Sequence, residues 1–409
     1  MSLRKDAEQI IRRSIDAVLP DVAVADALSD KDFGSGRVVL VSVGKAAWQM
    51  ARAAYDTLGN RIDAGIVITK YDHVKGRIAD FEMVEAGHPV PDENSFAGTE
   101  KALSLVNGLG VDDTVLFLLS GGGSALFEKP RIAGEELGAL TEALLASGAD
   151  IVEMNTIRKR LSAVKGGRFA LACAPAKVYA VVLSDIIGDP LDMIASGPAY
   201  PDSSTCEDAK RIVEKYQLSL SKEARRCLEE ETPKALSNVE TVINGSVRQL
   251  VAAAGETAKE WGYEPVLLTD CLSCEASEAG SFLGAIAKTH QDAASSLAFI
   301  AGGETVVHLK GNGKGGRNQE LALAGGLAIR GLKDTAIFSV GSDGTDGPTD
   351  AAGGYMDGES ISDALLAKAQ KALSDNNAYP FLKETGGLIK TGPTGTNVND
   401  VAVLLIKRQ

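Results

Sequence analysis

The sequence predicts an α/β protein with two domains. The chain has 409 residues, more than the roughly 250 to 300 residues over which a single core keeps growing. Apolar runs followed by glycine turns and amphipathic segments recur along it, as in repeated strand, loop and helix units. These runs are nearly continuous, which is typical of strands covered on both faces and therefore of doubly wound, largely parallel sheets.

The predicted elements follow in order from the N-terminus. EQIIRRSIDAVL (8–19) has the apolar spacing of an amphipathic helix, and RVVLVSV (37–43) is a predicted strand before the helix GKAAWQMARAAYDTLG. The same pattern of strand and turn recurs downstream as TVLFLLS before GGGSAL, VYAVVLS before DIIGDP, PVLLTD before ASEAGSFLGAIAK, and AIFSVG before SDGTDG.

The domain boundary is predicted between residues 237 and 238. The segment EEETPKALSNVE is polar and contains a proline, and the strand-like TVIN that follows it begins a second set of α/β units. Residues 1–237 therefore form the predicted N-terminal domain, and residues 238–409 form a smaller C-terminal domain.

Composition and charge exclude several classes of protein. No stretch approaches the ~20 apolar residues of a membrane span, and MSLRKDAEQII lacks the apolar core of a secretory signal, so we expect a cytoplasmic protein. The net charge of −13 disfavours nucleic acid and anionic membranes as partners. A small anionic ligand held by local cations is the expected alternative.

Cysteines and histidines do not indicate a metal centre. The five cysteines are an odd number, and the CxxC of Cys271 and Cys274 has no second pair. The four histidines lack metal-binding spacing, which disfavours a zinc hydrolase. Ser124 in GGGSALF does not match G-x-S-x-G, which disfavours an esterase.

Glycines and polar residues collect directly after the predicted strands. In open α/β sheets ligands bind beyond the carboxyl ends of the strands, so we expect the site at these positions. They are Gly44-Lys45, the loop SGGGS (Ser120, Gly121, Gly122, Gly123 and Ser124), Ser184-Asp185, Gly302-Gly303-Glu304, and Gly341-Ser342-Asp343.

The SGGGS loop and Lys45 are candidates for binding phosphate. Glycines allow successive backbone N–H groups to surround an anion at a helix start, although a flexible turn is the alternative. Lys45 follows a strand and begins a helix, where an ammonium suits a transferring phosphoryl group. A solvated lysine is the alternative there, and the Walker A pattern GxxxxGK[ST] is absent.

The segment GNGKGGRNQE matches G-x-G-x-x-G at Gly311, Gly313 and Gly316, between a strand-like TVVHLK and a predicted helix, NQELALAGGLA. A dinucleotide-binding loop is one interpretation, but no acidic residue ends the next strand about twenty residues on. We therefore favour Arg317 at the helix start as a bidentate ligand for a carboxylate or phosphate, with a surface arginine as the alternative.

Two loops supply candidate carboxylates. VGSDGTDGPTD contains Asp343 and Asp346, which are either turn residues or ligands for a divalent cation held mostly by phosphate oxygens. LSDIIGDPLDMIASGP contains Asp185 and Asp189, and a carboxylate there can orient or deprotonate a substrate hydroxyl. Upstream, NTIRKRLSAVKGGRFA (155–170) is cationic, either as a solvated helix face or as a surface that faces an anion.

These motifs, in this order and together with AGGETVV, GGRNQELAL and GPTGTNVND, resemble the class II glycerate kinases, the glycerate 2-kinase family with a C-terminal MOFRL domain. The resemblance covers nearly the whole chain. It implies ATP-dependent phosphorylation of D-glycerate at the 2-hydroxyl group with Mg²⁺, in a cleft between a Rossmann-like N-terminal domain and the smaller C-terminal domain. The family's conserved lysine and arginine fall on Lys45 and Arg317.

The resemblance and the residues together suggest a division of roles. The SGGGS loop and Lys45 would hold the ATP phosphates, with Glu304 and Asn318 also facing the nucleotide. Asp343 or Asp346 would help to carry Mg²⁺.

The substrate side of the predicted site depends on three other residues. Arg317 would bind glycerate, and Asp185 or Asp189 would orient its hydroxyl group. Family members have also been labelled hydroxypyruvate reductases, so an NAD(P)H-dependent reductase is the alternative function. A homodimer remains open.

Overall fold

The computed structural model describes residues 2–408 and confirms the predicted fold class, with two compact α/β units. The first unit comprises Ala23–Leu183 and Asp189–Asn244. The second unit comprises the segment that ends at Val22, the short segment Ser184–Gly188, and the described chain from Gly245 onward. The N-terminal helix α1 (Leu3–Asp16) therefore belongs to the second unit.

The first unit is built on a six-stranded sheet in which every pairing is parallel. Its strands are β1 (Val38–Val43), β2 (Ala64–Lys70), β3 (Glu82–Ala86), β4 (Thr114–Leu119), β5 (Lys177–Val182) and β6 (Val239–Ile243). Helix α2 (Pro20–Leu28) crosses into this unit at Ala23. The other helices of the unit are α3 (Ala47–Leu58), α4 (Glu93–Val106), α5 (Gly123–Leu126), α6 (Gly134–Ala146), α7 (Ile151–Leu161), α8 (Arg168–Cys173), α9 (Cys206–Tyr216) and α10 (Lys222–Leu228).

The strand order of this sheet indicates where a ligand would be expected to bind. The order β3-β2-β1-β4-β5-β6 is that of doubly wound Rossmann sheets, which bind ligands where the order reverses, between β1 and β4. Both strands are buried along their whole length, as expected for apolar runs covered on both faces. Val43 pairs with Leu119 in register, so the chain leaves the two strands side by side at residues 44 and 120.

The second unit contains a six-stranded sheet of order β11-β10-β9-β12-β8-β7. Its strands are β7 (Glu264–Leu272), β8 (Leu297–Gly303), β9 (Thr335–Gly341), β10 (Gly353–Asp357), β11 (Leu388–Ile389) and β12 (Asp400–Ile406). Its further helices are α11 (Val247–Glu260), α12 (Ala276–Thr289), α13 (Arg317–Ala328), α14 (Asp363–Ser374) and α15 (Ala378–Thr385).

The last strand, β12, fixes the polar edge of the second sheet. It pairs antiparallel with both β8 and β9, so Asp400 at its N-terminal end lies opposite Gly303 and Gly341, the last residues of those strands. Among the described residues of this sheet, β7 and β8 pair in parallel and the other neighbouring strands pair antiparallel, so the expected parallel pairing dominates the first sheet and not the second. Continuous apolar runs indicate that a strand is covered on both faces, and they do not fix its direction.

The division of the chain differs from the predicted boundary. The strand that contains TVI, expected to begin the C-terminal domain, is β6 and pairs with β5 at the edge of the first sheet. At the other end of the chain, Ile10 and Ile11 of α1 enter the hydrophobic core that α11 forms with the second sheet. Polarity and a proline at residues 229–240 mark a surface connection within the first unit, which sequence alone does not distinguish from a linker.

No helix in the described part of the chain combines the length and the hydropathy that crossing a bilayer requires.

We predict that the close packing of α12 on α13 depends on Gly280. A Cβ atom at this position would lie 2.3 Å from the carbonyl oxygen of Leu321. Gly280→Ala should lower the free energy of unfolding in urea by about 1 to 3 kcal/mol, although alanine is the better helix former. The matched control is Gly138→Ala in α6, where nothing lies within 4 Å and we expect a gain of about 0.5 to 1 kcal/mol. Equal changes in the two variants would contradict the packing argument.

Candidate active site

The SGGGS loop leaves β4 and turns directly into α5. Gly122 has a φ of 87°, a left-handed conformation that glycine adopts without strain. The backbone N–H groups of Gly121, Gly122, Gly123 and Ser124 find no acceptor among the described residues. Successive amides of this kind at a strand's carboxyl end suit an anionic ligand.

Lys45 lies beside this loop, as the register of β1 and β4 requires. Its backbone N–H donates to the Gly121 carbonyl oxygen at 2.9 Å, and the N–H of Ala46 donates to Ser120 Oγ at 3.1 Å. The Lys45 side chain is exposed, and a Cβ atom on Gly122 would lie 3.1 Å from its Cγ. Since the ammonium forms no ion pair with any described residue, its charge is available to an anion at the loop.

Two histidines without an expected role complete this edge of the first sheet. His73 Nδ1 lies 3.0 Å from the carbonyl oxygen of Lys45, and a Cβ atom on Gly122 would lie 3.1 Å from His88 Cδ2. Partial burial, with Lys45 nearby, lowers the pKa of His88, so its ring is neutral at pH 7. His73 follows β2 and His88 follows β3. A search for polar residues after strands could therefore have found both, whereas the spacing of the histidines in the sequence could not.

A buried ion pair supports the helix that follows the loop. Lys165 Nζ donates to the carbonyl oxygens of Ser124 at 2.8 Å and Phe127 at 2.9 Å, and lies 2.9 Å from Glu128 Oε2. Burial lowers the pKa of Lys165 to about 8. Part of the cationic segment NTIRKRLSAVKGGRFA therefore lies against the loop and is not a solvated helix face.

The loop also contacts a strained turn of the chain. Ser124 Oγ lies 3.2 Å from Ser196 Oγ, which donates to Asn155 Oδ1 at 2.8 Å. Ala195 and Ser196 have backbone φ values of 50° and 62°, which residues other than glycine rarely adopt. Strain of this kind collects at functional sites. The residues IASGP are compatible with an ordinary turn, so this strain could not be predicted from the sequence.

In the second unit, Arg317 begins α13 and binds two acidic side chains. Its Nε and Nη2 donate to Asp400 Oδ2 at 2.6 Å and Oδ1 at 3.0 Å, a bidentate pair. Its Nη1 donates to Glu304 Oε1 at 2.5 Å. Asp400 was not among the residues expected from the sequence, since it comes at the start of a strand, whereas the search covered the residues that follow strands.

Burial and charge oppose each other in this pair. Burial alone would lower the pKa of Arg317, but Asp400 and Glu304 raise it, so the guanidinium stays charged. Burial raises the pKa of Asp400 to about 6 in spite of the guanidinium, so the carboxyl group is still ionised at pH 7. The Arg317 side chain remains 33% exposed although each of its guanidinium nitrogens already donates to a carboxylate.

Asp346 and Asn318 have partners within the fold. The Asp346 carboxylate accepts the backbone N–H groups of Asn318 at 3.1 Å and Gln319 at 2.9 Å, and a Cβ atom on Gly316 would lie 2.4 Å from its oxygens. Asn318 Oδ1 accepts from Ser339 Oγ at 2.6 Å. Asp346 therefore satisfies the N-terminal amides of α13, a use of its oxygens that does not fit a ligand of a protein-held metal ion.

Asp343 is less occupied than Asp346. Its oxygens accept from the backbone N–H of Thr345 at 2.8 Å and from Thr345 Oγ1 at 3.0 Å, which closes a turn. A Cβ atom on Gly341 would lie 3.2 Å from Asp343 Oδ1 and 3.4 Å from Asp400 Oδ1. Over residues 2–408, no group of three or more histidine, cysteine or acidic side chains could hold a metal ion.

The two candidate aspartates of the loop after β5 fall in different units. Asp185 lies in the second unit, where its carbonyl oxygen accepts from Asn399 Nδ2 at 3.2 Å. Asp189 lies in the first unit and has a φ of 52°. Asp189 Oδ1 is buried without a hydrogen-bond partner in the described part of the chain, which marks this carboxylate as functional or strained.

The glycines of GNGKGGRNQE do not form a dinucleotide-binding loop. The expected strand TVVHLK is wrong, because these residues make only an isolated bridge between Val306 and Glu275. A Cβ atom on Gly311 would lie 2.2 Å from Asp375 Oδ1, and one on Gly313 would lie 2.4 Å from the Asp375 carbonyl oxygen. Close packing against residues 375–377 therefore accounts for these two glycines.

Fold and site together define an α/β protein whose first sheet presents a glycine-rich loop with unpaired backbone amides and an exposed lysine at its switch point. Residues 6–229 match a domain of unknown function, DUF4147, and residues 297–400 match the MOFRL family. The chain is 53% identical over 414 residues to D-glycerate 2-kinase from Thermotoga maritima, covering 99% of both chains. It is 39% identical over 436 residues to glycerate 2-kinase from Pyrococcus horikoshii, covering 99% of this chain and 98% of the relative.

A solved structure agrees with these similarities. The crystal structure of glycerate kinase from Thermotoga maritima matches this chain with a TM-score of 0.94 and covers 99% of each chain. The chain belongs to the class II glycerate kinases, the MOFRL family.

We predict that Asp400 makes the free energy of unfolding depend on pH. Burial raises its pKa from 3.8 to about 6, so the folded protein binds this proton more tightly than the unfolded chain does. The resulting stability is present below pH 4 and is lost as the pH rises through 6. In urea unfolding, the stability of wild type relative to Asp400→Asn should fall by up to about 3 kcal/mol between pH 4 and pH 7. A difference that stays constant or grows over this range would contradict the raised pKa.

Proposed function

We propose that the chain transfers the γ-phosphoryl group of ATP to the 2-hydroxyl group of D-glycerate, giving 2-phosphoglycerate and ADP. The observation that carries the proposal is the set of unpaired amides in the SGGGS loop beside the unpaired ammonium of Lys45. Phosphoryl transfer needs neutralised and positioned phosphates more than covalent chemistry from the protein. The relatives that share the whole length of the chain and are named glycerate kinases support the choice of substrate.

Lys45 and the SGGGS loop would act on the phosphates. The backbone N–H groups of Gly121 to Ser124 would donate to phosphate oxygens, and the ammonium of Lys45 would neutralise the charge of the transferring group. Because no carboxylate among the described residues competes for Lys45, its full charge is available for this role.

Arg317 would bind an anionic group of the substrate through the part of its guanidinium that remains exposed. Asp400 holds Nε and Nη2, which fixes the plane of the guanidinium before a ligand arrives and reduces the entropy lost on binding. Glu304 accepts from Arg317 and from Asn399 Nδ2 at 3.3 Å. A carboxylate in this position suits a hydroxyl group of a ligand better than a phosphate, and Asn318 would contribute by fixing the start of α13.

A carboxylate of the loop after β5 would orient the glycerate hydroxyl group. Asp189 is favoured over Asp185 because its Oδ1 atom is buried without a donor, so that a substrate hydroxyl would satisfy it. Asp189 also has a left-handed backbone, a strained conformation of the kind that collects at functional sites.

Asp343 or Asp346 would help to hold a Mg²⁺ ion, which would neutralise part of the charge of the ATP phosphates. Asp343 is the more available of the two candidate carboxylates, because Asp346 is bonded to the amides at the start of α13. No step of the reaction is assigned to a metal ion held by the protein alone.

The proposal predicts that ADP release by the purified protein depends on both D-glycerate and Mg²⁺. A coupled ADP assay measures the rate, and NMR of the product distinguishes the 2-phosphate from the 3-phosphate. Under the alternative function, hydroxypyruvate would be reduced with a loss of NAD(P)H absorbance at 340 nm in the absence of ATP. That result without glycerate-dependent ADP release would overturn the proposed kinase.

We predict that Lys45→Met and Arg317→Met each lower kcat or kcat/KM by roughly 10² to 10³, because each removes a cation that stabilises developing charge. Lys75→Met is the matched control, since Lys75 is an exposed lysine in a neighbouring loop and should keep wild-type rates. Thermal unfolding of each variant separates lost chemistry from lost folding. If Lys45→Met kept wild-type rates, the proposed role of Lys45 in phosphoryl transfer would be wrong.

A further inference from the structure

The cationic segment 155–170 contains more positive charge than its acidic neighbours neutralise. Its ion pairs join Lys159 to Asp202 at 3.0 Å and Asp192 at 3.4 Å, Arg160 to Glu231 at 3.3 Å and Asp202 at 3.6 Å, and Lys165 to Glu128 at 2.9 Å, which sets four acids against the five cations of the segment. Two further arginines of the segment, Arg158 and Arg168, form no ion pair with any described residue. Each of the two has a buried nitrogen that finds no hydrogen-bond acceptor in residues 2–408.

Of these two arginines, Arg158 lies against the SGGGS loop. Its Nη2 donates to the carbonyl oxygen of Ser124 at 3.1 Å, the same oxygen that accepts from Lys165 Nζ. Its Nε is buried without an acceptor among the described residues, and no hydrogen bond from Nη1 to a described residue forms either. Arg168 is near Arg131 and Glu230 instead and makes no hydrogen bond to the loop.

The charges below the loop do not balance. Lys165 and Arg158 are both cationic, and Glu128 is the one acid that pairs with either of them over the described residues. Burial lowers the pKa of Arg158, and Glu128 only partly opposes this. Because a desolvated charge without a counter-ion is costly, the arrangement is complete only when an anion approaches.

We propose that Arg158 binds an oxyanion of the ligand held by the SGGGS loop, either a phosphate oxygen of ATP or the carboxylate of glycerate. The inference deepens the proposed function and rests on its assignment of the loop to an anionic ligand. The guanidinium offers two donors to one oxyanion. The bond from Nη2 to Ser124 fixes the arginine relative to the loop amides, so that both can contact the same group.

Steady-state kinetics of Arg158→Met and Arg158→Lys test the inference. Arg158→Met should raise the KM of one substrate by about 10- to 100-fold, since it removes a charge-assisted contact. Arg158→Lys keeps the positive charge but lacks the paired N–H donors of the guanidinium, so it should raise the same KM by an intermediate factor. A raised KM for ATP would show that Arg158 binds a phosphate oxygen, and a raised KM for D-glycerate would show that it binds the carboxylate. Arg168→Met is the matched control and should leave both values unchanged.

Direct binding separates this inference from the proposed function. Calorimetric titration of wild type and Arg158→Met with ADP, and separately with D-glycerate, should show a weakened affinity for the ligand whose KM rises. If Arg158→Met does not fold, as judged by thermal unfolding, Arg158→Lys supplies the same comparison.

Two results would overturn the role of Arg158 while leaving the kinase intact. The first is an active wild type with both KM values and both affinities unchanged in the Arg158 variants. The second is an equal change in Arg168→Met. A wild type that releases no ADP with glycerate would instead overturn the proposed function itself.

Discussion

The parallel register of β1 and β4 is the constraint on which the candidate site depends. Because Val43 pairs with Leu119, the residues that follow the two strands lie side by side. The backbone N–H of Lys45 can therefore donate to the carbonyl oxygen of Gly121. Both strands are apolar and covered on both faces, so the register is fixed by burial and not by the polar residues that use it. The loop glycines keep that space open, since a Cβ atom on Gly122 would meet both Lys45 and His88.

In the second unit, polar residues are brought together at the edge of the sheet by antiparallel pairing. There β12 lies between β8 and β9 and runs against both, which brings Asp400 to the carboxyl ends of its neighbours. Arg317 is held by this aspartate, whose burial keeps its pKa near 6. In the first unit a cation is left without a counter-ion, whereas in the second a cation is fixed by two acids. We infer that the first arrangement favours binding of multiply charged phosphate and the second favours orientation.

The sequence predicted much of this and missed the rest for physical reasons. Apolar runs and turns indicated the strands, and the rule that ligands bind at strand ends led to Lys45 and the SGGGS loop. Asp400 was missed because it is brought in by antiparallel pairing, which an apolar run does not specify. Arg158 could be named only as part of a cationic segment, since the partners that neutralise its neighbours are distant in sequence. The domain boundary failed at β6 because strand pairing, and not polarity, decides which sheet a strand joins.

The most direct measurement is a crystal structure of the protein with ADP and D-glycerate. We expect phosphate oxygens within hydrogen-bonding distance of the backbone N–H groups of Gly122 and Gly123 and of Lys45 Nζ. Phosphates bound elsewhere, with the SGGGS amides and Lys45 facing solvent, would contradict this expectation.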